Sequence, residues 1–396
     1  MAGQESLALV VGVGESAYCR GTDRSEWELA VEAVGRALAD AGLAASDVDG
    51  LVRYSYDEVD EAMLVRSLGF RLGYYSQTGY GGLGAPAVLG HACAAIAGGM
   101  ARVVVCYRSL NGWSRTRYGR AERTLGAGDG GRPLDLVASG DRAPSGAFAG
   151  PYGLLSPGQV MALWAREYQW RAGLTDAQLA GALGQVAIDQ RQYASANPRA
   201  VMRDRPLDMK GYLAGRMISS PLRLFDLALE SDGAAAVVVA APSVAAALGR
   251  PGVRVLAAAQ GLFPYAESIS VYGELRNGPQ YRRIGVRLLR SAGVAPSDIV
   301  AAMIYDATTI SVLLGLEAYG FHEPFTSWRA VAAHGIGPVS PLPVNTSGGH
   351  LSEAYVHGMN LLTEAVRQCR GESANQISRT GPVLVSSGPS AVVLAP

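Results

Sequence analysis

The chain has 396 residues, of which 49% are apolar and 17% charged, so it can bury one large core or two or three smaller ones. Its 34 Lys and Arg residues balance its 34 Asp and Glu residues, which gives no support to a role on nucleic acid or at a membrane surface. The cysteines Cys19, Cys93, Cys106 and Cys369 are scattered without a C-x-x-C pair, so neither a zinc site nor a disulfide framework is expected. There is no basic-then-apolar leader and no apolar run of about 18 residues, and a cytoplasmic protein without membrane insertion is expected.

Residues 6–13 read as a buried strand. The Gly12-Val-Gly14 that follows lacks the third glycine of a dinucleotide loop, and a tight strand-to-loop turn accounts for it better. Ser25 to Glu28 has the capping-box pattern for a helix that reaches Ala41 and ends at Gly42; the chain then returns as a strand from Asp49 to Tyr54. Gly81-Gly82 precede an apolar helix from Ala87 to Ile96, followed by a strand from Val103 to Tyr107. A long insertion comes next, residues 110–225, with a Gly- and Arg-rich piece from Gly126 to Arg132 and helical patterns at 158–172 and 175–196, the second capped by Thr175. Insertions of this kind usually cover a site or a partner. Their arginines, Arg166, Arg171, Arg191 and Arg199, read mainly as a solvated face, with phosphate contact as the alternative. Ser231-Asp232-Gly233 is a turn that feeds a strand from Ala234 to Ala240.

The first unit recurs. Residues 41–54 align with residues 292–305 at a constant offset of 251, with six of fourteen positions identical, Tyr54 and Tyr305 among them. Gly81-Gly82 before one helix then answer Gly348-Gly349 before an apolar helix from Met359, and Val383 to Val385 is the second late strand. Two copies of a β/α unit are expected, residues 1–245 with the insertion and residues 246–396.

The stretch Asn345-Thr-Ser-Gly-Gly-His-Leu-Ser-Glu-Ala-Tyr355-Val-His357-Gly358 is the richest in chemistry. It follows Pro338, Pro341 and Pro343 and gathers His350, Ser352, Tyr355 and His357 within eight residues. Paired glycines let a backbone approach a ligand, and a helix N-terminus turns N–H groups toward developing negative charge. A plain Gly-rich turn feeding a core helix is an equally good account of the stretch alone.

Taken together, the duplicated halves, the insertion, the Ser231-Asp232-Gly233-Ala234 turn, Tyr305-Asp306 with Thr308 and Thr309, and the Asn345-Thr-Ser-Gly-Gly loop resemble the thiolase superfamily, in its sterol-carrier-protein-type branch. The resemblance implies an α/β thiolase fold: duplicated βαβαβαββ halves in a five-layer αβαβα arrangement, with a helical insertion. Position by position, it places Gly81 where the family has its nucleophilic cysteine and Tyr355 where it has the histidine of Gly-His-Pro. Tyr305 replaces a loop His or Asn, and Ser386-Ser387-Gly388-Pro389 replaces the second cysteine motif.

Without a thiolate no acyl-enzyme forms, so thiolysis is not expected. A retro-aldol cleavage needs only proton carriers and an oxyanion hole. The pattern is similar to the lipid-transfer-protein-like aldolases of bacterial steroid side-chain degradation. That resemblance implies a lyase cleaving the Cα–Cβ bond of a β-hydroxyacyl-CoA, favouring a steroid side-chain thioester split to a steroid ketone or aldehyde plus propionyl-CoA or acetyl-CoA. Tyr305 and Tyr355 are the implied acid and base, in either order. Gly81, Gly82, Asn345, Ser347, Gly348, Gly349, Ser387 and Gly388 would support the loop and the oxyanion, and His350, His357 and Asp306 would assist, with structural hydrogen bonding as the commoner role for each. Tyr54 reads as structural, while Tyr265 and Tyr272 lie where they could reach the site. No cofactor or metal is expected, CoA being part of the substrate. The resemblance further implies a homodimer with a small OB-fold, zinc-ribbon partner. The rival readings are a related enzyme on another acyl-CoA and a silent subunit that binds acyl-CoA within a complex.

Overall fold

The computed structural model describes residues 8–54, 59–78, 84–115, 152–154, 156–249, 251–261 and 274–396. The calls on Gly81, Gly82, Tyr265, Tyr272 and the piece from Gly126 to Arg132 lie outside them.

In chain order the first half runs β1 (Leu9–Glu15), α1 (Glu26–Ala41), β2 (Gly50–Tyr54), α2 (Glu61–Leu68), β3 (Tyr74–Thr78), α3 (Gly84–Ala97) and β4 (Val103–Asn111). The insertion contributes α4 (Pro157–Ala172), α5 (Asp176–Ala196), α6 (Met209–Ala214) and a small ribbon of β5 (Met217–Ser219) and β6 (Leu222–Arg223). β7 (Asp232–Ala240) closes the half, and α7 (Pro242–Ala247) leads out of it. The second half repeats the order with β8 (Val253–Gln260), α8 (Glu274–Ala292), β9 (Ala301–Ile304), α9 (Thr309–Ala318), α10 (Ser327–His334), α11 (Gly349–Ser352), α12 (Met359–Arg370), β10 (Val383–Ser387) and β11 (Ser390–Ala395).

Local sequence sets these boundaries. The Ser25 hydroxyl accepts the Glu28 N–H and the Glu28 carboxylate accepts the Ser25 N–H, which satisfies two N–H groups left free by the first turn of α1; Gly42 at φ 70° stops the helix. Thr175 caps α5 in the same way through Gln178. Gly12 and Gly14 are explained by packing rather than by a nucleotide: a Cβ on either would run into the backbone of α1 at Ala37 or Ala33.

The strands form one nine-stranded sheet in the order β3-β2-β4-β7-β1-β8-β11-β10-β9, so that the second half mirrors the first about the β1–β8 joint. That joint is short, pairing Leu9 with Arg254 and Val10 with Val253. The mate of β3 is reduced to a single bridge of Val344 beside Ala302.

Three hydrophobic cores pack the helices against the two half-sheets. One core lies between the two half-sheets, where Val88 and Leu89 of α3 and Leu362 and Val366 of α12 meet Val52, Val104, Met303 and Val385. α1 covers the outer face of the first half through Leu29, Val34 and Leu38. α8 and α9 cover the second, joined there by α4 and α5 of the insertion through Tyr168 and Leu183. β7 is covered on both faces and is therefore an almost unbroken apolar run.

The long helix begins at Met359, as the sequence reading expects, and Gly348-Gly349 lie before it without leading directly into it. They start the single turn α11, and the chain breaks again at His357 (φ 48°) and Gly358 (φ 87°) before α12 begins.

Candidate active site

β9 and the break before α12 bring two phenols together. Tyr305 and Tyr355 share a hydrogen bond of 2.7 Å between their hydroxyls, with ring planes at 66°. Tyr305 follows β9 directly, and its N–H donates to Ser386 O across to β10 at 3.0 Å. Asn345, at φ 53°, clips the end of the same strand: its amide donates to Ile304 O and accepts Ile304 N–H, each at 2.8 Å. Tyr355 is fixed by Ser231, whose Oγ accepts the Tyr355 N–H at 2.8 Å.

His350 fills the angle between the phenols. Its ring centroid lies 4.7 Å from that of Tyr305 and 5.0 Å from that of Tyr355, edge-on to both. Its Nδ1 is 3.0 Å from Asp306 Oδ1, but off the axis a ring hydrogen bond requires, so neither ring nitrogen has a hydrogen-bond partner among the described residues. Asp306 instead accepts the backbone N–H groups of His350 and Leu351 at 3.0 and 3.2 Å, which pins the turn α11 against β9. His357 stands edge-on to the other side of Tyr355 at 5.0 Å. Burial, the guanidinium of Arg108 and His350 together hold its imidazole well below the ordinary histidine range, so it is neutral.

The glycines expected to meet a ligand serve the scaffold. A side chain at Gly348 would strike Ala194 of α5, and one at Gly349 would strike Asp306 and Gln190. The Gly348 N–H is spent on Asn345 O at 2.8 Å, which removes it as an oxyanion donor. Ser387 differs. Its Oγ is buried without a hydrogen-bond partner among the described residues, and alternation along β10 puts it on the face of Val383 and Val385, turned to the central helices. Gly388, at φ 52°, offers its carbonyl to Tyr319 at 2.9 Å.

The insertion reaches this region, but its arginines do not all form a solvated face. Arg166 and Arg171 are partly exposed and paired with Asp176 and Glu167. Arg191 turns inward and donates to Ser352 Oγ at 2.9 Å. Arg199 lies 3.4 Å from Glu15 and 3.7 Å from Glu364. Asn197 reaches across to Ser347 O and to Glu353, both at 2.9 Å. Glu353 is wholly buried, and burial together with Glu15 and Glu364 pushes its carboxyl up to about 8.

Tyr54, read as structural, spans from the first half to donate its hydroxyl to the backbone carbonyl of His357 at 3.2 Å. One contributor escaped the sequence reading: Arg108 donates through Nε to His357 Nδ1 at 3.1 Å. Its signal was a lone cation inside the apolar strand β4, which was read as ending at Tyr107 but continues, buried throughout, to Asn111.

Each cysteine is spoken for. Burial pushes Cys93 and Cys369 up to about 12, holds Cys106 well above the ordinary thiol value, and raises the half-buried Cys19. The three buried thiols, Cys93, Cys106 and Cys369, are packing groups.

Residues 268–389 match the family described as thiolase C-terminal domain-like. A steroid side-chain-cleaving aldolase of Thermomonospora curvata is 39% identical over 386 residues, covering 96% of this chain and 95% of that protein. A 17-hydroxy-3-oxo-4-pregnene-20-carboxyl-CoA lyase of Mycobacterium tuberculosis is 36% identical over 384 residues, 96% of each chain. Among solved structures, the Ltp2-ChsH2(DUF35) aldolase superposes with a TM-score of 0.86 at 37% identity, covering 98% of this chain and 97% of that one. The chain belongs to the thiolase superfamily, in its family of side-chain-cleaving aldolases and acyl-CoA lyases.

Proposed function

We propose that the protein is a retro-aldolase that cleaves the Cα–Cβ bond of a β-hydroxyacyl-CoA, with Tyr305 and Tyr355 carrying the protons. The observation behind this reading is their 2.7 Å hydrogen bond. One tyrosine, as phenolate, takes the proton of the β-hydroxyl. The O–H electron pair becomes the second bond of the carbonyl, and the Cα–Cβ pair passes into the thioester enolate. The other phenol protonates Cα, and transfer along the Tyr305–Tyr355 hydrogen bond restores the starting pair.

Ionising an ordinary phenol at pH 7 costs about 4 kcal/mol. A charge-assisted hydrogen bond from the second phenol offsets about 1.5–3 kcal/mol of that. Ser387, with Gly81, Gly82 and Gly388, is assigned to the enolate oxygen, while Asn345, Gly348, Gly349 and Asp306 hold the loop.

The relatives' names favour a steroid side-chain thioester, split to a steroid ketone or aldehyde plus propionyl-CoA or acetyl-CoA. The solved relative carries a DUF35 chain in its name, and we extend a comparable small partner, with a homodimer at the centre, to this protein. No helix among the described residues is long and apolar enough to cross a membrane.

The test is incubation with a β-hydroxyacyl-CoA in deuterated water, with and without the partner. Retro-aldol cleavage releases a carbonyl compound and an acyl-CoA bearing one deuterium at Cα. Binding of the CoA ester without carbonyl release would favour a silent subunit.

A further inference from the structure

Arg108 is 1% exposed on β4, and alternation along the strand puts it on the face that Val104 and Cys106 turn to the central helices. Its Nε–H donates to His357 Nδ1 at 3.1 Å. A guanidinium keeps its protons and accepts no hydrogen bond, so this contact needs a lone pair on Nδ1. The imidazole is thereby neutral, with its proton on Nε2. The backbone beneath it is held at φ 48° with its carbonyl tied to the Tyr54 hydroxyl at 3.2 Å. The ring meets Tyr355 edge-on, at 90°. Among the described residues, the titratable and charged groups facing it include Tyr54 from β2, Arg108 from β4, His350 from α11 and Tyr355 from its own segment.

We propose that Arg108 is a positioning residue for the cleavage reaction, locking His357 as the neutral Nε2–H tautomer beside Tyr355 and setting a buried positive charge near the forming phenolate and enolate. The proposal rests on the retro-aldolase reading for its consequence, but not for the lock itself. An arginine here does two things that lysine or methionine cannot do together. Its branched head reaches a ring nitrogen edge-on, and its charge persists at any working pH. With the imidazole fixed, Tyr355 keeps one neighbour of constant charge through the catalytic cycle.

Two readouts test it. Nitrogen-15 NMR of labelled histidines reads the tautomer without any substrate: the intact protein gives a His357 ring with bare Nδ1 and protonated Nε2 that does not titrate between about pH 6 and 9. Arg108→Met gives an averaged or titrating ring. In steady-state kinetics Arg108→Met lowers kcat about 30-fold or more with KM within about threefold, and Arg108→Lys recovers part of the loss. His357→Gln combined with Arg108→Met costs little more than the worse single change, because both act through one ring. A protonated Nδ1 in the intact protein, an unchanged kcat in Arg108→Met, or fully multiplicative losses would each overturn the proposal. If Arg108→Met does not fold, Arg108→Lys and Arg108→Gln carry the same comparison. If the intact protein cleaves no β-hydroxyacyl-CoA, the retro-aldolase reading fails, and the NMR result still decides whether Arg108 locks the ring.

Discussion

Ser231 holds the peptide of Tyr355 at both ends: its Oγ accepts the Tyr355 N–H at 2.8 Å and donates to the Tyr355 carbonyl at 3.4 Å. A turn residue of the first half thus sets the aim of a phenol in the second. Ser231→Ala leaves a buried N–H unmet, which costs about 1–3 kcal/mol. We expect that loss in urea unfolding, and a kcat reduced about tenfold as Tyr355 drifts from Tyr305. Unchanged kcat would detach Ser231 from the site.

Gly349 occupies φ 59° with Asp306 and Gln190 where a side chain would begin. Gly349→Ala therefore combines left-handed strain with displacement of the carboxylate that pins α11. A stability loss of about 2–4 kcal/mol is expected, with a parallel fall in cleavage rate. Calorimetry and kinetics on the one variant check both.

His357 gives the molecule an acid-side weakness. Its pKa in the fold lies below the ordinary value, so as pH drops through about 6.5 the unfolded chain binds a proton there and the folded chain does not. Stability from this group is complete above that point and falls by about 1.4 kcal/mol per pH unit below it. His357→Gln keeps an acceptor for Arg108 and lacks the slope. The advantage of the intact protein over the variant should shrink by that amount between about pH 6 and 5 in urea titrations. A gap indifferent to pH would contradict the neutral buried ring.

Cys93, Cys106 and Cys369 are buried and held in their neutral form, which predicts insensitivity of activity to alkylation. Iodoacetamide at neutral pH should leave activity intact, and Cys93→Ala should keep kcat within about twofold while costing some stability. Stoichiometric inactivation by the reagent would restore a cysteine to the mechanism.

Much of this was legible in the sequence, for identifiable reasons. The Ser25–Glu28 cap and Gly42 stop are local chemistry, and they bound α1 where the pattern says. The offset of 251 between Tyr54 and Tyr305 reflects two strands with the same place in mirrored half-sheets. What escaped depends on long-range packing. Arg108 drew no notice because nothing near it in sequence reveals that His357, 249 residues away, takes its Nε–H. The purpose of Gly348 and Gly349 was likewise invisible without α5 lying over them. Arg191 and Arg199 turn inward because the groups they meet, the Ser352 hydroxyl for one and the Glu15 and Glu364 carboxylates for the other, come from both halves.

The most direct test is cleavage of a β-hydroxyacyl-CoA by Tyr305→Phe and Tyr355→Phe, each checked for an unchanged melting profile. Removing either hydroxyl should lower kcat by about 100-fold or more, since each would be carrying a proton in the reaction. A near-normal rate in either folded variant would contradict the paired-phenol account.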